Sequence, residues 1–477
     1  MPAPDEADPE GIPPLPSATL AANAGPSDAP SPHGRHGSSA EIWSLAWPVM
    51  LSQVLANSVS LIDVAMVGRL GPQAVAAVGY AGQFFALVQS VLFAVSAACV
   101  ALVARAVGAG EPWRARRALA ASIAAAGGTS ALLAASVAVS PRGLLRLLGA
   151  DAAVIDLAVP YLFFLLGSAL LLAPSMMLES ALRASRDART PMAIALVVTA
   201  VKVGLNALLI FGALGLPRLG LVGAGIATAV AQVVGVALFA GVCWRAPREG
   251  PLALRAADFR SMRVALVSVT RLSLPGIGER LAMNLGLLAY FRVLAHYGTV
   301  AIAAYTVGVR LLAFSWIPGT GFGVAAATLV GQALGAGDRR GAARTGWHTT
   351  RMALWTAIAL GALGVAGHGA LAGLFVSDPE TVAALRPFLL CLAVTQPMLQ
   401  THFALAGAHR GAGDTMTPFL AAAAGNWALR LPFAAALALW DADLVWVWWA
   451  LSIDHVTRMV WLGWSFRRGR WARARAI

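Results

Sequence analysis

The segment Gly108-Ala109-Gly110-Glu111 returns 227 residues later as Gly335-Ala336-Gly337-Asp338, and this recurrence decides the predicted architecture. At the same offset, without a gap from residue 48 to residue 191, many other landmark residues coincide. They are Pro48 with Pro275, Asn57 with Asn284, Gly71 with Gly298, Pro160 with Pro387, Arg183 with Arg410, Asp187 with Asp414, and Thr190-Pro191 with Thr417-Pro418. Because so many glycine, proline and charged positions rarely match by chance, the sequence predicts two similar halves.

The chain is too apolar for a water-soluble globule. Of its 477 residues, 58% are hydrophobic and 12% are charged, whereas soluble domains have about 25% charged residues. Its 3 cysteines lie inside apolar runs, which excludes a disulfide-stapled secreted scaffold. Twelve apolar runs are long enough to cross a bilayer as helices, namely 43–67, 76–104, 118–140, 155–179, 192–214, 220–244, 264–295, 301–331, 350–376, 383–406, 416–439 and 444–466. The predicted fold class is therefore an all-α membrane protein with twelve transmembrane helices in two pseudo-symmetric six-helix bundles.

The arginines predict the orientation in the membrane. One set of loops and termini holds 21 arginines and the opposite set holds six, so the first set should be cytoplasmic and both termini should face the cytoplasm. Six spans per half place the halves in the same orientation, related by an axis along the membrane normal. The predicted domains are a disordered cytoplasmic tail (1–42), an N-lobe (43–244), a cytoplasmic linker (245–263), a C-lobe (264–466) and a basic cytoplasmic tail (467–477).

Composition also limits the function. Lys202 is the only lysine and follows Val201, so the chain has no Gly-x-x-x-x-Gly-Lys phosphate loop and should not hydrolyse ATP. The formal net charge is +13, and the arginines that produce it lie between the apolar stretches. This placement indicates a membrane surface rather than nucleic acid as the partner. The histidines lack metal-binding spacing and no nucleophile elbow stands out, so we expect no enzyme activity, cofactor or metal. Two like halves around a central cavity are typical of a transporter, although a channel or a membrane transferase is also compatible with a duplication.

Several motifs resemble the multidrug and toxic compound extrusion (MATE) family. They are Asp63-Val-Ala-Met-Val-Gly-Arg-Leu-Gly71, the paired Gly-Ala-Gly-acid turns, Arg183-Ala-Ser-Arg-Asp-Ala-Arg-Thr-Pro191, Asn206-Ala-Leu-Leu-Ile-Phe-Gly212, the stretch 220–228 and Val330-Gly-Gln-Ala-Leu-Gly-Ala-Gly337. Pro275 followed by Glu279 resembles the DinF-like branch of the family. The resemblance implies a V-shaped pair of six-helix bundles. It also implies an antiporter of the cytoplasmic membrane that exports cationic or amphipathic organic compounds by alternating access, in exchange for protons or sodium ions.

Asp63 is the leading candidate for coupling export to an ion gradient. An ionisable residue inside a bilayer is costly and often functional, and a low dielectric favours the neutral form of a carboxylate. The resemblance aligns Asp63 with the coupling carboxylate of the family, and it aligns Lys202 and Asn206 with a polar pair that is usually Asn and Asp. Lys202 and Asn206 are four residues apart and therefore share a helix face. We expect Lys202 to pair with Asp63 in one conformation and to repel sodium ions, which favours proton coupling.

Other polar residues in the predicted spans are candidates to line the cavity. Glu279 is a candidate second carboxylate for protons or substrate, or a partner of Arg271 or Arg280, and Asn284 and its repeat equivalent Asn57 are both expected to bridge helices. The remaining cavity candidates are Gln396, Gln400, Asn426 and Arg430. Four-residue spacing also predicts three ion pairs, Arg183–Asp187 and Arg410–Asp414 in cytoplasmic loops and Asp454–Arg458 as a structural pair.

Two alternatives to a proton-coupled exporter stay open at this point. One is a sodium-coupled exporter, and the other is a lipid-linked precursor flippase of the same superfamily, which should have a strongly cationic cavity. The expected partners are a small organic substrate and the lipid bilayer, and the protein is expected to act as a monomer.

Overall fold

The computed structural model describes residues 37–212, 215, 217–375 and 378–473, and the regular elements in these residues are all helices. The α-helices are α1 (Ser39–Gly68), α2 (Pro72–Gly108), α3 (Pro112–Val139), α4 (Pro141–Leu147), α5 (Ala152–Ala184), α6 (Arg189–Phe211), α7 (Gly220–Arg245), α8 (Ala256–Arg260), α9 (Arg263–Leu294), α10 (Gly298–Ser315), α11 (Ile317–Gly335), α12 (Arg339–Phe375), α13 (Pro379–Gly411), α14 (Met416–Ala423), α15 (Leu431–Leu439) and α16 (Leu444–Arg468). A π-helical segment, Ala424–Arg430, joins α14 to α15, and short 3-10 segments occupy Ala295–Tyr297 and Arg470–Arg473.

These helices form the twelve predicted spans. Six belong to the first half (α1, α2, α3, α5, α6 and α7) and six to the second (α9, α10–α11, α12, α13, α14–α15 and α16). Within the described residues, nine helical segments are long and apolar enough to cross a membrane by length and composition, and one of these, Arg263–Gly335, contains two spans. Two predicted spans are not among these nine segments. The π-helical segment interrupts the span α14–α15, and the span α16 carries Asp454 and Arg458.

Local sequence explains where the spans begin and bend. Proline occupies the first turn of α2, α3, α4 and α13, where its missing N–H costs no hydrogen bond. The Ser38 side chain accepts a hydrogen bond from the Glu41 backbone N–H at 3.2 Å and caps α1. The eighth span breaks at Trp316, immediately before the first turn of α11, which holds Pro318. Such breaks leave backbone carbonyls that neighbouring side chains must satisfy.

The two halves meet where α2 crosses α11. A Cβ at Gly108 would overlap the Gln332 carbonyl oxygen, and a Cβ at Gly335 would overlap the Arg105 carbonyl oxygen. Gly335 is the repeat equivalent of Gly108, and Gln332 is that of Arg105, so both contacts belong to one pseudo-twofold crossing. Glycine is required at both positions because the backbones touch.

Close contacts between the halves cluster at the face that holds the loops after α2, α5, α11 and α13, here called the arginine-rich face. Arg105 Nη2 donates to the Ala412 carbonyl oxygen at 2.7 Å, and Gln332 Nε2 donates to the Ala184 carbonyl oxygen at 2.7 Å. Deeper in the molecule, the Cα of Gly276 faces Ala94. The described helices therefore form a V of two six-helix bundles, joined at the arginine-rich face and splayed at the other.

The chain termini differ from the prediction. The predicted tail spans residues 1–42, of which residues 1–36 lie outside the described part of the chain. Within the predicted tail, α1 already begins at Ser39, because Ser38 supplies its N-terminal cap. The predicted basic tail at 467–477 begins inside α16, and Trp471 is buried with its indole stacked on Phe466 at 4.4 Å. Residues 474–477 lie outside the described part of the chain.

Candidate functional site

Asp63 of α1 lies at the centre of the candidate site. Its carboxylate forms an ion pair with the Lys202 ammonium of α6, and Asn206 Nδ2 donates a hydrogen bond to Asp63 Oδ1 at 2.6 Å. The side chains of Lys202 and Asp63 are 20% and 24% exposed, whereas Asn206 is 1% exposed. The expected contact between Lys202 and Asp63 is thus present in this conformation.

The helix geometry explains why these three side chains meet. Lys202 and Asn206 lie one turn apart on the same face of α6, and that face packs against α1. Each oxygen of the Asp63 carboxylate accepts a hydrogen bond from one of them. Asn206 Oδ1 is buried and accepts no hydrogen bond from the described residues. The site therefore combines a neutral ion pair with one open hydrogen-bond acceptor.

Tyr161 of α5 lies next to this site and was not found by sequence reasoning. Its ring packs against the hydrophobic cluster that contains Val67, one helical turn after Asp63 on α1. Nothing in the local sequence of α5 singles out Tyr161, because only the packing of α5 in the N-lobe brings it to α1. The signal available in the sequence is the repeat, since its equivalent, Phe388, is also aromatic.

Glu279 of α9 has a different partner from either predicted one. Both of its carboxylate oxygens accept hydrogen bonds from Arg410 Nη2 of α13, at 2.7 and 2.8 Å, so the pairing with Arg271 or Arg280 is wrong. Arg280 instead lies over the Phe93 ring of α2, 5.2 Å from its centroid. Tertiary packing decided this result, because it places the Arg410 guanidinium of α13 against Glu279 while the Arg280 side chain extends to α2.

The two ion pairs predicted in the loops are also wrong. Arg410 pairs with Glu279 and Arg183 pairs with Glu179, so neither arginine pairs with the aspartate four residues later. Those aspartates cap the next helices: Asp187 accepts from the Thr190 N–H at 2.9 Å, and Asp414 accepts from the Thr417 N–H at 3.0 Å. The i,i+4 rule fails here because the intervening residues form a turn rather than a helix.

Gln396 and Gln400 of α13 support the break in the eighth span. Gln400 Nε2 donates to the Ser315 carbonyl oxygen at 2.7 Å and to Gln396 Oε1 at 3.1 Å, and Gln396 Nε2 donates to the Ser315 hydroxyl. Both glutamines are buried, at 6% and 0% exposure. They are placed to satisfy polar groups at the helix break and not to line an open cavity.

The remaining cavity candidates are scattered. Asn284 is exposed on α9. It forms no hydrogen bond to another described residue and therefore does not bridge helices. Asn426 lies in the π-helical segment against Gly286, where a Cβ would overlap its amide nitrogen. The Arg430 guanidinium, at the end of that segment, lies 4.2 Å from the Tyr290 ring centroid.

A buried polar cluster of the C-lobe surrounds the predicted pair Asp454–Arg458. Arg458 Nε and Nη2 donate to the two Asp454 oxygens at 2.6 and 2.7 Å, so this pair is confirmed. Beside it, the imidazoles of His402 and His455 stack at 5.2 Å, an arrangement that sequence reasoning missed. The two histidines come from different helices, and their spacing along the chain carries no signal. Within the described residues, no three His, Cys, Asp or Glu side chains are placed to hold a metal ion.

Comparison with known proteins decides the family. The family model MatE matches residues 48–208 and again residues 275–436, which correspond to the two repeats. The chain belongs to this family. Its members are the MATE transporters that the motifs resemble, so the two matches also account for the duplication.

MatE relatives cover nearly the whole chain. "Probable multidrug resistance protein NorM" of Thermotoga maritima is 26% identical, over 90% of this chain and 92% of its own length. The protein of the same name from Bradyrhizobium diazoefficiens is 31% identical, over 87% of this chain and 90% of its own. Among solved structures, the Vibrio cholerae MATE transporter VcmN in the bent form superposes with a TM-score of 0.80 at 22% identity, covering 91% of this chain and 97% of that chain. This last likeness establishes the V-shaped fold.

Proposed function

We propose that this protein exports cationic or amphipathic organic compounds in exchange for protons, with Asp63 as the proton-binding group and Lys202 as its displaceable partner. The observation that carries the proposal is the ion pair of Asp63 with Lys202, to which Asn206 adds a hydrogen bond. Export of drug-like compounds is supported by the family and by the names of its relatives.

The partly exposed ion pair suits a switch between two states. As long as Asp63 is ionised, its charge and that of Lys202 cancel, so the pair stays stable inside a membrane protein. Protonation of Asp63 removes the negative charge and leaves the ammonium without its partner, which changes the local charge by one unit. A change of this size at a half-buried site is large enough to bias a two-state packing of helices.

The same contacts favour protons over sodium ions. A sodium ion needs several oxygen ligands, but both Asp63 oxygens already accept hydrogen bonds from Lys202 and Asn206. Among the three residues only Asn206 Oδ1 is an open acceptor, and the adjacent ammonium repels cations. A proton needs one carboxylate oxygen and no cage of ligands. In the N-lobe, the neutralised Lys202 does not provide the strongly cationic cavity expected of a lipid-linked precursor flippase.

Alternating access is supported by the asymmetry of the V. Under the positive-inside rule, the arginine-rich face is cytoplasmic, both termini lie inside, and the cleft opens to the outside of the cytoplasmic membrane. The contacts of Arg105 with Ala412 and of Gln332 with Ala184 would then have to break in the inward-open state. We propose that one chain in the bilayer performs this cycle as a monomer.

Efflux from proteoliposomes, driven by an imposed proton gradient or an imposed sodium gradient in separate arms, tests the proposal. We expect the proton gradient alone to drive export of a fluorescent organic cation, and Asp63→Asn to abolish it. Lys202→Met should move the pH profile of transport to the alkaline side, because the ammonium no longer competes with the proton for the Asp63 carboxylate. Lys202→Arg, which keeps the positive charge, should move it less.

The matched control is Asp156→Asn. Asp156 pairs with Arg142 at 3.1 Å on the exposed outer surface of the same lobe, with 66% of its side chain exposed. This variant removes a carboxylate of the same type and should transport as the wild type does. Proton-driven export by Asp63→Asn at the wild-type rate, or export driven by sodium alone, would refute the proposal.

A further inference from the structure

The C-lobe contains a counterpart of the Asp63–Lys202 pair. The repeat equivalent of Asp63, 227 residues later, is Tyr290. A π-helical turn accommodates one extra residue, so by the end of the segment Ala424–Arg430 the offset has become 228 and the equivalent of Lys202 is Arg430. In agreement with this shift, the Arg430 guanidinium lies 4.2 Å from the Tyr290 ring centroid. In the C-lobe, a cation therefore faces an aromatic ring where the N-lobe has a carboxylate.

The charge of Arg430 is not balanced by an acidic side chain. Arg430 is 8% exposed, and no carboxylate of the described residues forms an ion pair with it. The nearby Asp454 is already paired with Arg458 through two hydrogen bonds. The other titratable groups in this region, among the described residues, are the stacked imidazoles of His402 and His455, the phenols of Tyr290 and Tyr305 and the thiol of Cys391, and none of them is a carboxylate. With neutral imidazoles, the buried cluster carries a net charge of one positive unit, which is costly without an anion.

Two buried N–H groups at and near Arg430 lack an acceptor among the described residues. Arg430 Nε and Trp448 Nε1 are both buried and donate to no described residue. The Tyr305 hydroxyl accepts from Arg430 Nη2 at 3.3 Å, which leaves its own proton free to donate. Tyr305 also stacks on Trp448, with ring centroids 5.9 Å apart and planes 7° apart, so the Tyr305 side chain contacts both Arg430 and Trp448.

Aromatic rings enclose this group. Tyr290 lies under the guanidinium, and the Phe388 ring meets those of Tyr305 and Trp448 edge-on at 5.8 and 5.1 Å. The cation–π contact stabilises the guanidinium but satisfies none of its N–H groups. We call Arg430, Tyr290, Tyr305, Phe388 and Trp448 the Arg430 cage.

We propose that the Arg430 cage binds one monovalent anion, either a halide or the carboxylate of an organic compound. An anion beside the guanidinium would balance the net positive charge and accept from the unpaired Arg430 Nε. Since arginine stays protonated at all accessible pH values, this site keeps its charge throughout the cycle, unlike a site built on Asp63. The proposal goes beyond proton coupling and does not depend on it.

Direct binding to purified protein in neutral-lipid nanodiscs tests the proposal, with labelled chloride and labelled benzoate as probes and gluconate as the background anion. We expect saturable binding of one anion per chain. Arg430→Gln should weaken it by about tenfold to a hundredfold, the effect of losing a charged hydrogen-bond donor. Arg430→Lys keeps the positive charge but lacks the planar guanidinium, so its affinity for the anion should lie between those of the wild type and Arg430→Gln. The control Arg142→Gln, which removes an exposed arginine, should bind as the wild type does.

The two probes distinguish the sources of the anion. Chloride binding that benzoate does not displace identifies a halide site, whereas benzoate binding that chloride displaces weakly identifies a site for organic carboxylates. A second measurement does not depend on a variant that folds: at constant ionic strength, the wild type should unfold at a higher temperature with the bound anion than in gluconate. No saturable binding of either probe, or unchanged binding by folded Arg430→Gln, would overturn the proposal.

Discussion

The crossing of α2 and α11 predicts that one added methyl group changes the conformational equilibrium of the whole molecule. In Gly108→Ala, the new Cβ would overlap the Gln332 carbonyl oxygen, and no side chain can move away to relieve the overlap. To reach an ordinary separation of about 3.3 Å between this Cβ and the carbonyl oxygen, α2 and α11 must move apart by roughly 1 Å. That shift stretches the hydrogen bonds from Arg105 to Ala412 and from Gln332 to Ala184, which are both 2.7 Å long.

The size of the effect follows from these two hydrogen bonds. One has a charged donor and the other is neutral, so their loss costs the closed state roughly 3 kcal/mol in total. This corresponds to about a hundredfold change in the ratio of the closed arginine-rich face to the open one. Overall stability need not fall, because alanine favours a helix more than glycine does.

The accessibility of a cysteine at position 412 measures this change. Ala412 is fully buried under the crossing, so Ala412→Cys, in a chain whose three native cysteines are replaced, should react slowly with a maleimide. Gly108→Ala should raise the labelling rate by about a hundredfold, since the rate follows the open population. Gly335→Ala, its repeat equivalent, should do the same.

Gly82→Ala in the same helix is the matched control, because a Cβ at Gly82 meets no atom within 4 Å. If Gly108→Ala labels no faster than Gly82→Ala, then the crossing does not hold the arginine-rich face closed and the reasoning fails.

Two further predictions concern charged residues of the C-lobe. Asp454→Asn should lower the free energy of unfolding by about 3–5 kcal/mol in chemical denaturation, because it leaves the Arg458 charge unpaired, whereas the double variant Asp454→Leu/Arg458→Met should recover most of the loss. Burial opposes ionisation of Asp414, but hydrogen bonds from His409 and Thr417 outweigh it and hold the pKa of Asp414 below its usual value. The stability that Asp414 contributes should therefore be present above the ordinary carboxyl pKa and be lost as the pH falls through the folded value. Thermal unfolding of wild type and Asp414→Asn should differ at neutral pH and converge in acid; a constant difference across this range would contradict the assignment.

The sequence by itself determined the spans, the duplication and the N-lobe site. Apolar length is a local property, so the twelve spans could be counted without knowing their neighbours. The repeat aligned Gly108 with Gly335, because both halves need glycine at the position where their helices cross. The contact between Lys202 and Asp63 was predictable because two charges in a low dielectric must find each other.

Tertiary structure alone decided which helices satisfy the other polar groups. Glu279 pairs with Arg410 across two helices and not with its sequence neighbours, since packing sets the distance between α9 and α13. Gln400 was expected in the cavity but supports the break at Ser315, because a broken helix needs donors from whichever helix lies beside it. Arg430 became the counterpart of Lys202 only through a π-helical turn, a one-residue shift that periodicity in the sequence does not reveal.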